Sequence, residues 1–484
     1  MTAEDVLKEL RELRAGDLPT HGGRTLAYVY DSGLSEVDEL GAAAHALASS
    51  ANGLDPTAFP SLLRMENDLV GTAARLLGGT ADTVGSVTSG GTESCMLAVL
   101  AARDARPDVS SPSIVLPTTA HAAFHKAAHF FGVRVVSVPV DPVSFRAVPE
   151  AMAAAVDDST VLVVASAPSY AHGVLDPIPE IAASLDGVRF HVDACIGGWV
   201  LPYLGLGPFG FDVPGVTSVS VDLHKYAYCP KGVSVLLHAD AGLRRSQYFA
   251  SADWPGYTML NTTLQSTRSG GPLAAAWAVV RHVGEEGYRE LASAAREAAV
   301  EIRAGIEALD GLRVLGDPVS TLLAFTVADG AGFDLFTVAD EMRERGWYVQ
   351  PQFAHESSPA NLHLTVTAAN RGSEKDFLAD LGASVVAARE AGPVVVDPQV
   401  AEFVAALDPA TLTPEQFAGL LAAAGLGGDA GLPTRMAEIN ALLATAPGPL
   451  RERLLLEFLG ALYTASRVPL DAISRLLYKV IATD

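Results

Sequence analysis

At 484 residues, 49 % hydrophobic and 18 % charged, the chain has the length and composition of a globular protein of two or three domains with a large core. Its formal net charge of −23 repels nucleic acid and anionic membranes, so neither is expected as a partner, while local basic pockets for small anions stay open. Its three cysteines, Cys95, Cys195 and Cys229, show no paired metal spacing, which points to a reduced, cytoplasmic chain without a metal centre.

The N-terminus, MTAEDVLKELRELRAGD, is a charged amphipathic pattern and lacks the apolar core of a signal peptide. No run of 18 uncharged apolar residues occurs, so no transmembrane helix is expected. Residues 1–62 read as an N-terminal arm. It has a helix over 4–14, the loop THGGRTLAYVYDSG, a helix over 34–49 and the irregular NGLDPTAFPS. Residues 63–285 alternate helical patterns (63–77, 92–104, 121–131, 147–155, 178–185) with short β-branched runs. These runs are Ser113–Leu116, Arg134–Val138, Val161–Ser166, Arg189–Asp193, Ser218–Asp222 and Val233–His238. That alternation predicts an α/β domain with a mostly parallel sheet covered on both faces. A helix over 273–283 leads away from it. Residues 286–392 read as a small α/β domain, with a helix over 286–308 and strands near Leu312–Leu315, Leu322–Val327, Trp347–Gln350 and Leu362–Val366. Residues 393–484 are Ala/Leu-rich helical patterns (413–424, 434–444, 449–464) broken by Pro and Gly, a helical extension with no catalytic constellation.

Three constellations carry chemistry. In Thr88-Ser89-Gly90-Gly91-Thr92-Glu93-Ser94, a glycine turn enters a helix. The open backbone N–H groups and the helix dipole favour an anion there, and Ser89, Thr92 and Ser94 add hydroxyls. A plain glycine turn with an N-cap reads the same way. In TTAHAAFHKAAHFFG, His121, His125 and His129 lie at i, i+4 and i+8, so one helix face could present all three. No acidic residue joins them, which disfavours a metal. His121 begins the helix, where its ring could stack on a flat cofactor. The third constellation spans two strand ends, HVDACIGGWV with Asp193 and SVSVDLHKYAYCPKG with His224-Lys225. Strand ends of open α/β sheets are where ligands bind. A buried carboxylate needs a partner, and a pyridinium N–H is a suitable one. A lysine in weakly charged surroundings is suited to Schiff-base chemistry. The combination points to pyridoxal 5'-phosphate (PLP), with Lys225 bonded to its aldehyde, Asp193 paired with its ring nitrogen and His224 donating to its phosphate.

The segments SVTSGGTES, HAAFHKAAHFFGVRVV, HGVLDPIPE, HVDACIGGW and GVTSVSVDLHKYAYCPKG resemble those of the sphingosine-1-phosphate lyase family, in the group II PLP-dependent decarboxylase superfamily. The resemblance runs from about Gly22 to about Ala369 and does not extend over the tail after about 395. It implies the PLP-dependent fold type I, aminotransferase-like, and a homodimer with shared active sites. It implies that Lys225 bonds the cofactor, Asp193 pairs with its ring nitrogen and His121 stacks on the ring. Ser89, Gly90, Gly91, Thr92 and His224 would surround the phosphate. Thr267, in Ser266–Gly271, stands where the family commonly has Ser in a segment that reaches the neighbouring subunit's phosphate. Lys231 matches a lysine that contacts the substrate phosphate, and Tyr30, Asn52 and Tyr170 match residues on the substrate side. Asp55 stands where the family has a His that helps to hold the substrate phosphate. An anion in that place disfavours a phosphorylated substrate and leaves the phosphate open.

PLP acts as an electron sink for whichever bond breaks at the amino-bearing carbon. Retro-aldol cleavage of a 2-amino-3-hydroxy substrate to an aldehyde and an amine is the expected reaction, with Tyr170 as proton carrier. Amino-acid decarboxylation is the alternative. Decarboxylases commonly place an Arg near the substrate carboxylate, whereas ANLHLTVTAAN offers His363 here. A non-catalytic interaction protein on the same fold is a third reading, opposed by the joint presence of Asp193, His121 and Lys225.

Overall fold

The computed structural model describes residues 2–423 and 435–463. The arm carries α1 (Ala3–Leu13), closed by a Thr2–Asp5 capping box and burying nothing, and α2 (Ser35–Ala48). Next come α3 (Pro60–Leu76), β1 (Val84–Thr88), α4 (Gly91–Asp104), β2 (Ser113–Pro117), α5 (Ala123–Phe131) and β3 (Arg134–Val138). α6 (Pro149–Ala154), β4 (Thr160–Ser166), α7 (Ile178–Ser184), β5 (Arg189–Asp193), β6 (Ser218–Val221) and β7 (Ser234–His238) complete the large sheet, ordered β1-β7-β6-β5-β4-β2-β3. β3, β2, β4, β5 and β6 run parallel. β7 lies antiparallel between β6 and β1, so β1 and β6 point the same way. β2, β4, β6 and β7 are buried at every residue, as a sheet covered on both faces requires. β1 was not expected. Its sequence VGSVT is interrupted by Gly and Ser, and pairing with β7 defines it.

After β7 come α8 (Ala241–Arg244) and the hairpin β8 (Phe249–Ser251) and β9 (Met259–Asn261). α9 (Gly270–Ala308) joins the two helices expected over 273–283 and 286–308. Gly284, at φ 63°, kinks it between them, a conformation open to glycine.

The small sheet has β10 (Leu312–Val314) and β11 (Leu322–Val327), then, after α10 (Leu335–Glu344), β12 (Gln350–Gln352) and β13 (Asn361–Thr365). Its order is β10-β11-β13-β12, all antiparallel, and α11 (Glu374–Ala391) follows. The strand expected at Trp347–Gln350 is displaced because the arm occupies Tyr348. The Tyr348 N–H donates to Arg24 O, and the Leu26 N–H to Tyr348 O, both at 2.9 Å. Leu26 thereby enters the small-sheet core with Phe325, Trp347 and Phe377. This part of the arm is built into the fold.

The extension forms α12 (Pro398–Ala405), α13 (Pro414–Ala423), α14 (Ala437–Thr445) and α15 (Gly448–Leu462), with Val404, Phe417, Ala446 and Leu450 as a core. The ends expected at 424, 434 and 464 lie outside the described residues. The module docks on α10, where Asp340 accepts the Met436 and Ala437 N–H groups and Arg435 pairs with Glu341 and Glu344. No described helix is long and apolar enough to cross a membrane.

Candidate active site

The parallel strands bring their C-terminal ends to one edge, and the site is assembled there. His121 follows β2, Tyr170 follows β4, Asp193 closes β5, and Asp222, His224 and Lys225 follow β6. β1 ends at Thr88, and the Ser89-Gly90 turn delivers the N-terminus of α4. These elements enclose a cavity of about 400 Å³, lined by Ser89, Gly90, Gly91, Thr92, His121, Tyr170, Asp193, Asp222, His224 and Lys225 among others. Four chain segments far apart in sequence thus supply the lysine, the carboxylate, the ring and the helix N-terminus expected of a PLP site.

Lys225 Nζ lies 3.0 Å from Asp222 Oδ2, and the Asp222 side chain is 2 % exposed. Burial works against both charges. For Lys225, Asp222 and then Tyr30, Cys195 and Asp193 outweigh it and push the ammonium well up. For Asp222, Lys225 and then His224 outweigh it and hold the carboxyl below its ordinary value. His224 Nδ1 accepts the Val233 N–H at 3.3 Å, which leaves Nε2 to carry the ring proton, 3.5 Å from Asp222 Oδ2. Asp222 Oδ1 is buried without a hydrogen-bond partner. Asp193 is 8 % exposed, and its Oδ1 accepts the Cys195 N–H at 3.1 Å. The Cys95 and Cys195 sulfurs and an Asp193 oxygen lie within 4.8 Å of one another; the Cys195 thiol is pushed well up by its contact with Cys95 and then by burial, and the Cys95 thiol is raised because the opposing contact with Cys195 is outweighed by burial and nearby carboxylates.

The helix α4 has no side-chain cap at Gly90, so its first N–H groups face the cavity without a capping oxygen. Gly91 is held close to the β6 turn: a Cβ there would fall 2.6 Å from Asp222 Oδ2 and 2.9 Å from Cys195 Sγ. His121 precedes α5, its Nδ1 accepting the Ala123 N–H at 3.1 Å. It therefore does not share the helix face of His125 and His129, a correction to the i, i+4, i+8 reading. These groups fit PLP. A helix N-terminus suits the phosphate, a carboxylate suits the ring N–H, and the cavity lies in the range of about 300–1,000 Å³ usual for small-ligand sites.

Beside the cavity, Lys231 Nζ stands 4.8 Å from the centroid of the Tyr30 ring and donates to His224 O at 3.4 Å. Burial and then Lys225 lower its pKa to about 8. Burial lifts the Tyr30 hydroxyl to about 12. Tyr170 donates to Gln350 Oε1 at 2.5 Å, and Gln350 Nε2 donates to Tyr28 Oη at 2.9 Å. Burial pushes the Tyr170 hydroxyl well up, so it stays protonated.

Two expected substrate residues are placed differently. His363 is fully buried, with its ring stacked 4.3 Å from that of Tyr170, and burial lowers its pKa to about 3. It supports Tyr170 from behind and does not line the cavity. Asp55 is exposed and turned onto its own loop, accepting from the Thr57 and Ala58 N–H groups and the Thr57 hydroxyl. It faces away from the Lys225 cavity because this local turn satisfies the carboxylate.

Asn52 also lies apart. Its Oδ1 accepts the Leu54 N–H, and it bridges Ser269. Gly53, Leu54, Pro56 and Thr267 line a second cavity of about 700 Å³, which shares Ser89 with the first. Arg268 pins this segment to β1 through Val87 O at 2.8 Å and to α3 through Glu66 at 3.1 Å. Asp222 and Gln350 were missed in the sequence. A carboxylate three residues before the lysine, VDLHK, was the available signal for Asp222. Nothing in the sequence marked Gln350.

Residues 29–328 match the pyridoxal-dependent decarboxylase conserved domain, and residues 398–461 match a pyridoxal-dependent enzyme C-terminal putative HTH domain. Over 390 residues the chain is 37 % identical to sphingosine-1-phosphate lyase of Dictyostelium discoideum, covering 79 % of this chain and 72 % of that protein. It is 36 % identical to sphingosine-1-phosphate lyase 1 of Rattus norvegicus, covering 80 % and 68 %. The solved structure of a Burkholderia pseudomallei sphingosine-1-phosphate lyase superposes with a TM-score of 0.76 at 38 % identity, over 81 % of this chain and 92 % of that one. Lactobacillus brevis glutamate decarboxylase shares the fold at 20 % identity, TM-score 0.72, over 81 % and 93 %.

Proposed function

The chain belongs to the sphingosine-1-phosphate lyase branch of the pyridoxal-dependent decarboxylase family, a PLP-dependent carbon–carbon lyase, and from that premise we propose that it cleaves a phosphorylated 2-amino-3-hydroxy compound by a retro-aldol reaction. The observation that carries the substrate class is Lys231, held beside Tyr30 and Lys225 at the edge of the cofactor cavity. Among the described residues no arginine lines that cavity, so a cation at its rim suits a phosphate at the far end of the substrate better than a carboxylate on the reacting carbon. With Asp55 turned away, the anion that spoke against a phosphate is absent from the protomer's own site.

Bound PLP supplies the electron sink for the bond broken at the amino-bearing carbon. Lys225 would hold the cofactor covalently. Asp193 would keep the ring nitrogen protonated, with its carboxylate held by the Cys195 N–H. The open turn of α4 and His224 would hold the phosphate, and His121 would cover the ring. Tyr170 remains protonated, so it orients the substrate's β-oxygen as a donor, with Gln350 and Tyr28 fixing its position.

We further propose a homodimer with shared sites, in a reducing cytoplasmic setting. Support comes from Thr267 at the second cavity, which meets the first at Ser89, and from the exposed Phe249 and Leu260 of the adjoining hairpin. The domain division is proposed as 1–62, 63–285, 286–392 and 393–484. Incubation with a phosphorylated long-chain 2-amino-3-hydroxy compound and with amino acids, scoring aldehyde against CO2, tests the reaction. Aldehyde from the amino alcohol is expected. Stoichiometric CO2 from an amino acid with no aldehyde would assign the decarboxylase alternative.

A further inference from the structure

We infer that Asp222 is a positioning residue for Lys225: it holds the lysine as an ammonium whenever the nitrogen is free of the cofactor, takes that proton when the cofactor attaches, and returns it when substrate displaces the lysine. The inference rests on the PLP assignment above and goes beyond it, because neither the strand-end pattern nor the comparisons assign a role to Asp222.

The geometry is specific. Lys225 Nζ sits 3.0 Å from Asp222 Oδ2. The two residues leave the same turn, where the Lys225 N–H donates to Asp222 O at 3.3 Å. The carboxylate is fixed independently of the lysine. Its own N–H donates to Cys195 O at 3.1 Å, and Gly91 presses on it so closely that a Cβ would meet its oxygens at 2.6 and 2.8 Å. Its second oxygen, Oδ1, is buried and unpartnered, so it is free to accept a proton. A buried carboxylate in this state is stable only while a cation faces it. Asp193, Cys195, Tyr30 and Tyr170 also surround Lys225 and favour its charge or are neutral. His224, on the same turn, and Lys231, beyond it in the chain, are the groups that oppose a second cation.

The proton count closes. On attachment, one proton passes from Lys225 Nζ to the Asp222 carboxylate. The freed lone pair bonds the cofactor's aldehyde carbon, and the aldehyde oxygen leaves as water with the two remaining amine protons. When the substrate's amine takes the lysine's place, Lys225 departs as a neutral amine. Asp222 then returns the proton and the ion pair re-forms. The enzyme thus keeps one proton at the reacting centre through the cycle without exchanging it with solvent.

The test is the rate of covalent attachment of PLP to the cofactor-free protein as a function of pH, read by the visible absorbance rise and by borohydride trapping. In the wild type the rate should stay within about threefold through neutrality, because the proton that leaves Lys225 is kept on Asp222 rather than given to solvent. In Asp222→Asn the proton has no carboxylate to go to and must leave to solvent, so the rate should climb about tenfold per pH unit up to the amine's own pKa. Asp222→Glu should restore the wild-type profile, which a purely structural role would not require. Asp222→Ser serves as the second variant if Asn disturbs packing, and must shift the profile the same way. A profile for the neutral variants that superimposes on the wild type overturns the inference while leaving PLP binding intact. No adduct in the wild type at any pH would overturn the cofactor reading itself.

Discussion

Asp193→Asn isolates the electrostatic contribution at the ring nitrogen. The substitution keeps shape and retains the acceptor for the Cys195 N–H at 3.1 Å. It changes the other carboxylate oxygen into an NH2 group, a donor where an acceptor for a ring N–H is needed. Two unit charges about 3 Å apart at an effective dielectric near 20 interact by roughly 5 kcal/mol. Only the share that grows as negative charge develops affects the rate. Preorganised groups of this kind typically contribute about 3–4 kcal/mol, or 10²–10³ in kcat. We therefore expect kcat to fall about 10²–10³-fold while PLP stays bound through Lys225 and the α4 turn. Since Asp193 is 8 % exposed and the replacement is isosteric, Tm should stay within a few degrees of wild type. Steady-state aldehyde production at saturating substrate, with PLP content read by absorbance, gives the ratio. A kcat within about threefold of wild type, with stoichiometric PLP, would refute the pairing of Asp193 with the ring nitrogen.

Lys231, lowered to about 8, predicts a pH effect. The ammonium that holds phosphate is present below pH 8 and lost above it, so KM for a phosphorylated substrate should rise through pH 8–9. In Lys231→Gln that limb should vanish and KM at pH 7 should rise about tenfold or more, as expected for loss of a charge-assisted contact; an unchanged KM would remove Lys231 from the substrate site. Gly91→Ala places a methyl 2.6 Å from Asp222 Oδ2 and should cost about 1–3 kcal/mol, seen as weakened PLP retention on dialysis; full retention would show that the turn has room. His363→Phe keeps a ring stacked on Tyr170 and should leave KM within about threefold, whereas a large rise would return His363 to the substrate.

The large sheet was legible because its strands are short apolar runs between helical patterns. β2, β3, β4, β5, β6 and β7 lie within a residue of their expected ends. β1 was not, since Gly85 and Ser86 break its pattern and only β7 defines it. The displaced strand at Trp347–Gln350 has a similar cause, an arm residue paired across more than 300 positions. Lys225 and Asp193 stood out as charges at the ends of apolar strands, and the cavity places them together. Asp222 was read as a strand terminus, because only the folded turn reveals its 3.0 Å contact with Lys225. Asp55 and His363 illustrate the converse. A position in a motif says where a residue lies along the chain, but rotamer and neighbours decide which way it faces. Asp55 spends its acceptors on Thr57, and His363 is covered by Tyr170.

Peptide mapping of the borohydride-reduced holoenzyme tests the central claim most directly. After reduction and proteolysis, the account predicts one pyridoxyl-labelled peptide carrying Lys225, and none in Lys225→Ala. A label on Lys231 or Lys126 instead, or an undiminished label in Lys225→Ala, would contradict the assignment of this cavity as the catalytic centre.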